Sequence, residues 1–143
     1  MYFGDLNYIV PVIAAVVSMG LGFLWYSPFV FGKRFMKETG MTQESMDEYM
    51  KNGGKQKMAK TYALVFLFSV ITAIIVSALF YSLIIVGLWG YILLAFFLWL
   101  GFSFPVALNH VLFGKDTLAL LAITSGFQLV SLIFTSLIVG MFG

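Results

Sequence analysis

The chain has 143 residues; 62% are hydrophobic, 10% are charged and the net charge is +2. A soluble domain carries about 25% charged residues, so the composition argues against a water-soluble monomer, and its wealth of Phe, Leu, Ile and Val argues against disorder. With no cysteine, disulfides, thiolate metal sites and thiol catalysis are excluded, and the small charge gives no basis for nucleic-acid binding.

The fourteen charged residues leave three charge-free stretches: 6–32, 61–114 and 117–143. A membrane-spanning helix needs roughly 20 apolar residues. The outer stretches hold one helix each, and the middle one, broken by Gly87 and Gly90, holds two. The expected fold is therefore all-α: one integral membrane four-helix domain over 1–143, with spans at 8–26, 61–82, 89–112 and 117–141. A β-barrel needs alternating polar and apolar residues, which runs such as Val65 to Phe68 lack.

The first span carries Asp5 ahead of it in place of a basic segment and runs into Trp25 and Tyr26. It is expected to stay as a membrane helix and not to be cleaved as a signal peptide. Ala14, Ser18 and Gly22 form a small-residue face along it.

The loop 27–60 is the one long polar segment, and a short amphipathic helical loop is expected there. Ser27 could cap a helix with Pro28 at its first position. That helix would carry Phe31 and Phe35 beside Lys33, Arg34 and Lys37 and stop at Gly40. Thr42 looks like a second cap, with Glu44, Asp47 and Glu48 in the turns that favour acids. Asn52, Gly53 and Gly54 end that helix, and the next restarts near Gln56. The segment suits the surface of an anionic leaflet, or a docked partner.

Seven of the eight Lys and Arg residues lie in this loop, and the eighth is Lys115 between the last two spans. The positive-inside rule then puts both basic loops in the cytoplasm and both termini outside. The expected location is a bacterial inner membrane.

The second span has its own small-residue face of Ser69, Ala73 and Ser77. Small faces let helix backbones approach, so the first two spans should pack closely, or either face could build a homo-oligomer. Ala119, Ala122 and Gly126 on the last span make a third patch that could meet another subunit. Pro105 should kink the third span, because it cannot donate to the carbonyl of Gly101.

Two polar groupings stand out. On the last span Thr117, Thr124, Gln128, Ser131 and Thr135 fall within about 60° of arc. They either hydrogen-bond to neighbouring helices or line a small polar cavity. At the cytoplasmic ends of three spans Trp25, Tyr26, Ser27, Lys60, Tyr62, Asn109 and His110 should share one depth. A hydrogen bond from Asn109 or His110 to the segment 25–27 or to Tyr62 is expected, as a structural tie or as the rim of a ligand pocket. No Asp, Glu, Lys or Arg lies within a span, which disfavours proton-coupled transport and intramembrane catalysis. No catalytic residue, metal or cofactor is therefore expected.

Several blocks of sequence resemble one family. They are Trp25-Tyr26-Ser27-Pro28, Phe31-Gly32-Lys33 with Met36, Met41-Thr42-Gln43-Glu44 with Met46, and Met58-Ala59-Lys60 with Tyr62. Trp99-Leu100-Gly101-Phe102 and Gly126-Phe127-Gln128-Leu129 extend the likeness to the last two spans. Together they resemble domain-of-unknown-function family 1761, small multi-pass membrane proteins; Phe35 stands where that family usually has Trp. The resemblance implies four membrane helices and brings no activity or catalytic residue. The expected role is that of a non-enzymatic membrane protein that binds membrane lipid, a small ligand or a partner; the alternative is an oligomeric small-molecule transporter or channel.

Overall fold

A computed structural model describes residues 7–40, 42–114 and 116–142. Asp5, Met41 and Lys115, which entered the sequence reading, lie outside the described residues. All regular structure among those residues is helical. Three helices are long and apolar enough to cross a membrane: Glu44–Leu83, Leu88–Phe113 and Leu118–Phe142. The first apolar helix, α1 (Ile9–Trp25), has 17 residues and falls short of them in length.

After α1 the chain makes a tight turn. The residue before Pro28 is pushed out of the helical region, and the Ser27 hydroxyl donates back to the carbonyl of Leu24 at 2.6 Å. Ser27 therefore closes α1 and does not cap the next helix, as its sequence position had suggested. That helix, α2 (Gly32–Thr39), begins five residues later. The amide of Gly32 donates to the carbonyl of Ser27 at 2.8 Å. A side chain at Gly32 would strike the carbonyl of Tyr26, so the turn requires glycine there. Gly40, at φ 73°, ends α2 in the left-handed conformation.

Thr42 caps α3 (Gln43–Tyr49) as expected. Its side chain accepts from the amide of Ser45, and the Ser45 side chain accepts from the amide of Thr42. A kink at Asn52 and Gly53, the latter at φ 86°, separates α3 from α4 (Lys55–Leu83). Ile84, at φ 53°, and Gly87, at φ 94°, break the long apolar stretch. Then come α5 (Leu88–Leu98), a wide turn at Trp99–Ser103 and α6 (Phe104–Phe113). The wide turn sits where Pro105 withholds a hydrogen bond from Gly101. The last helix is α7 (Leu118–Phe142).

α7 is the hub: α1, α4, α5 and α6 all pack against it. At the end remote from the lysines, Val10 and Ala14 of α1 meet Ala73, Val76 and Phe80 of α4 and Val139 of α7 in one buried cluster. Ala14 and Ala73 are 1% and 0% exposed, since their small side chains let the backbones approach. Towards the basic end α4 emerges from this packing. Its residues 73, 76–78 and 80 are buried, whereas Tyr62, Leu64, Val65, Leu67 and Phe68 are exposed.

Candidate functional site

The aromatic end of α1 is fastened to α7. The indole of Trp25 donates to the carbonyl of Ile123 at 2.9 Å. Two residues along, the indole of Trp99 donates to the carbonyl of Ser125, also at 2.9 Å. Both acceptors lie in α7, where carbonyl lone pairs remain free to take a second donor. The ring of Trp25 lies over Gly126, where a Cβ would sit 3.2 Å from it. The third small-residue patch is thus partly covered from within, by Trp25 over Gly126. Next to it, the ring of Tyr26 stands edge-on to Phe127 of α7 and to Phe35 of α2, at 5.5 and 5.0 Å between centroids.

Beneath these rings lies a cavity of about 590 Å³ between α1, α4 and α7. α1 contributes Ser18, Gly22 and Tyr26; α4 contributes Thr61, Val65, Ser69 and Thr72; α7 contributes Gln128, Ser131 and Thr135. Each set recurs at helical spacing, so each is one face of its helix. Ser103, just before α6, and Phe35 of α2 also line it, and Met19, Phe23, Tyr62, Phe127 and Leu132 make much of the wall apolar. Phe23 and Tyr62 stand edge-on, 5.4 Å apart, between α1 and α4. The buried cluster around Ala14, Ala73 and Val139 closes the end remote from the lysines.

The wall has polar groups and no charged side chain. Most hydroxyls have placed their protons. Thr61, Ser69 and Thr72 donate to carbonyls of their own helix at 2.8–2.9 Å, and Ser18 and Ser131 bond to each other across α1 and α7. Gln128 is exposed to the cavity and has no hydrogen-bond partner among the described residues. Its amide can still donate twice and accept.

The structure divides the two polar groupings read from the sequence. Of the α7 stripe, Gln128, Ser131 and Thr135 line the cavity, and Ser131 bonds across to Ser18 of α1. Thr124 donates to the carbonyl of Leu120 in its own helix at 3.0 Å. Thr117 lies at the start of α7, where its hydroxyl accepts from the amide of Leu120 and donates to Glu38 of α2. Of the second grouping, Tyr26 and Tyr62 reach the cavity, Trp25 holds α7, and Ser27 closes α1. Lys60, Asn109 and His110 are exposed. Among the described residues neither Asn109 nor His110 bonds to the turn at 25–27 or to Tyr62. The reason is the hub geometry: α6 and the end of α1 each pack on α7 and not on each other.

Sequence reasoning missed Phe35, Ser103 and Thr72 as lining residues. For Thr72 a signal existed: Thr61, Val65, Ser69 and Thr72 are spaced 4, 4 and 3. Ser69 also shares a small-residue face with Ala73 and Ser77, which masks that signal.

No curated protein and no solved structure matches the chain. One family model does match, over residues 9–140, nearly the whole length. The chain, with its Trp-Tyr-Ser-Pro turn and its apolar helices, belongs to the family described as Protein of unknown function (DUF1761).

Proposed function

We propose that this protein is a membrane-embedded binding protein that holds an uncharged small molecule in the cavity between α1, α4 and α7, and that it acts by binding and not by catalysis. The observation that carries this reading is the chemistry of the wall: a mostly apolar lining set with hydroxyl oxygens and one unpartnered amide, Gln128, and with no charged side chain. A charged ligand at this depth would lack a counter-charge and pay heavily for desolvation. A volume of about 590 Å³ falls in the range of roughly 300–1,000 Å³ that takes drug-sized ligands.

In this reading the molecule is a four-helix bundle that crosses the membrane four times. At about 1.5 Å per residue α1 is roughly 26 Å long, close to a hydrocarbon core of about 30 Å. Tyr8, Trp25 and Tyr26 at its ends suit the interfaces. The clustered lysines put the loop 27–60 in the cytoplasm of a bacterial inner membrane, with positions 8 and 141 outside.

A second reading, an oligomeric transporter or channel, draws on the same contact of the cavity with Gln128. Against it stands the packed cluster of Ala14, Ala73, Val76, Phe80 and Val139, which blocks a through path.

A compact neutral photoprobe, a trifluoromethyl-diazirinyl benzyl alcohol, tests the binding reading on the full chain in nanodiscs. Labelling of the α7 peptide containing Gln128 is expected, lost in Thr72→Phe and in Ser131→Phe. Equal labelling of wild type and both variants, spread over lipid-facing residues, would overturn it. Passage of the same alcohol across liposomes only with the protein present would favour the transporter instead.

A further inference from the structure

We infer that the occupant of this cavity is a neutral single-chain lipid with a hydroxyl-bearing head, of the monoacylglycerol type, which enters sideways from the bilayer between α4 and α6. The inference rests on the binding role proposed for the same cavity.

The side entrance follows from the way α4 is packed. α4 is held by α1 and α7 and has no substantial packing against α6, yet Ser103 at the foot of α6 lines the same cavity as Ser69 and Thr72 of α4. The wall between α4 and α6 is therefore not sealed by helix contact. The other approaches are roofed by rings: Tyr26 with Phe35 beneath α2, and Phe23 with Tyr62 between α1 and α4.

Outside this gap a groove runs along α4, lined by Thr61, Leu64, Val65, Phe68, Ser69 and Thr72. Four of these also line the cavity, so the two spaces are continuous. The two that do not, Leu64 and Phe68, are apolar and more than half exposed. A molecule lying across the gap would meet Leu64 and Phe68 outside and, inside, a largely apolar wall that carries the few polar atoms of Ser69, Thr72 and Gln128, which suits a long apolar chain with a small polar head.

The hydrogen-bond inventory selects the head. The hydroxyl protons of Ser69 and Thr72 are committed to the carbonyls of Val65 and Phe68, so their oxygens are left to accept. The amide of Gln128 can donate. A head that serves both must donate to the hydroxyls and accept from the amide, and an alcohol does both. A carboxylate or phosphate only accepts and brings a charge that nothing on the wall balances. A quaternary ammonium neither donates nor finds an acid.

The test compares two photoreactive lipids of one chain, with a diazirine at mid-chain. One is a monoacylglycerol and the other its free fatty acid, ionised, each added to the full chain in phosphatidylcholine nanodiscs. The monoacylglycerol is expected to label positions 64–68 and 103 about tenfold more than the acid, as the loss of one or two hydrogen bonds would give. Ser69→Phe, at the junction of groove and cavity, should reduce it to the level of the acid. Gln128→Leu should lower it several-fold while the fold, read by helical content, persists. Equal labelling by both lipids, or an advantage left undiminished by Gln128→Leu, overturns the lipid assignment. The benzyl alcohol probe run alongside separates the two readings. If it labels α7 while the two lipids behave alike, the cavity binds neutral molecules and only the lipid inference falls. If neither it nor the monoacylglycerol reaches the cavity, both fall.

Discussion

Gly126 makes room for Trp25: the indole ring lies 3.2 Å from where a Cβ on that glycine would sit, and its N–H reaches the carbonyl of Ile123. A long helix in lipid has no hydrophobic force to hold its neighbours, so close van der Waals contact and hydrogen bonds do that work. Trp25 supplies both at once. It also sets the position of Tyr26, and through Tyr26 the roof of the cavity.

Gly126→Leu should therefore displace the ring. Overpacking of this kind costs about 1–3 kcal/mol, and loss of the indole hydrogen bond adds about 0.5–1.5 kcal/mol. Trp25→Phe should lose only the hydrogen bond and part of the ring contact. The measurement is the unfolding midpoint of each variant in one detergent. If Gly126→Leu unfolds at or above the midpoint of Trp25→Phe, the close approach is not what holds α1 on α7.

The start of α7 offers a second check. One hydroxyl, that of Thr117, accepts from the amide of Leu120 at 3.1 Å and donates to Glu38 at 2.6 Å. Glu38 is in turn paired with Arg34 at 2.9 Å. The cap satisfies an orphan amide, and the carboxylate lies near the positive end of the helix dipole. Thr117→Ala should cost about 1 kcal/mol, the ordinary value of an N-cap, and should loosen α2 from α7. Thr117→Ser should restore both. Thermal midpoint and protease sensitivity at Arg34 report the two effects separately. A serine variant no better than alanine would contradict the cap.

Ile84 gives a change in the opposite direction. It ends α4 in the left-handed conformation at φ 53°, where a β-branched side chain is strained. Its side chain is 82% exposed, so little packing is lost with it. Ile84→Gly should stabilise the fold by about 1 kcal/mol, the approximate steric cost of that conformation for a residue with a Cβ. Ile84→Val should bring no gain. The comparison of the two midpoints decides it.

Much of this fold was legible because charges and breakers are local signals. Gly40 and Thr42 ended and began helices where their chemistry requires. Pro105 marked the wide turn, and the spacing of Gln128, Ser131 and Thr135 put them on one face. What neighbours that face could not be read. In water, an amphipathic helix points its apolar stripe inward; in lipid, every face is apolar. Nothing in α7 announces it as the hub. Asn109 and His110 were grouped with Trp25 by depth alone, and depth says nothing about which side of α7 a helix occupies. Ser69, Ala73 and Ser77 share one helical face, yet Ala73 and Ser77 are packed and Ser69 borders a cavity. The difference is the divergence of α4 from its neighbours, a property of the assembled helices.

Orientation is the last prediction. Lys33, Arg34, Lys37, Lys51, Lys55, Lys57 and Lys60 all precede the apolar part of α4, and Gly53 sits among them at a kink exposed to solvent. Transfer of so many cations across a bilayer is opposed at insertion, which is the origin of the positive-inside rule. The cysteine-free chain allows a single reporter at a time. Gly53→Cys should react with an impermeant maleimide only after the membrane is opened. Met141→Cys, at the far end of α7, should react in intact spheroplasts. Gly53 is at φ 86°, so Ser45→Cys, on the exposed side of α3, serves as a control that leaves the kink untouched. The reverse pattern at 45 and 141 would invert the molecule. It would also put the aromatic roof of the cavity on the outer face of the membrane.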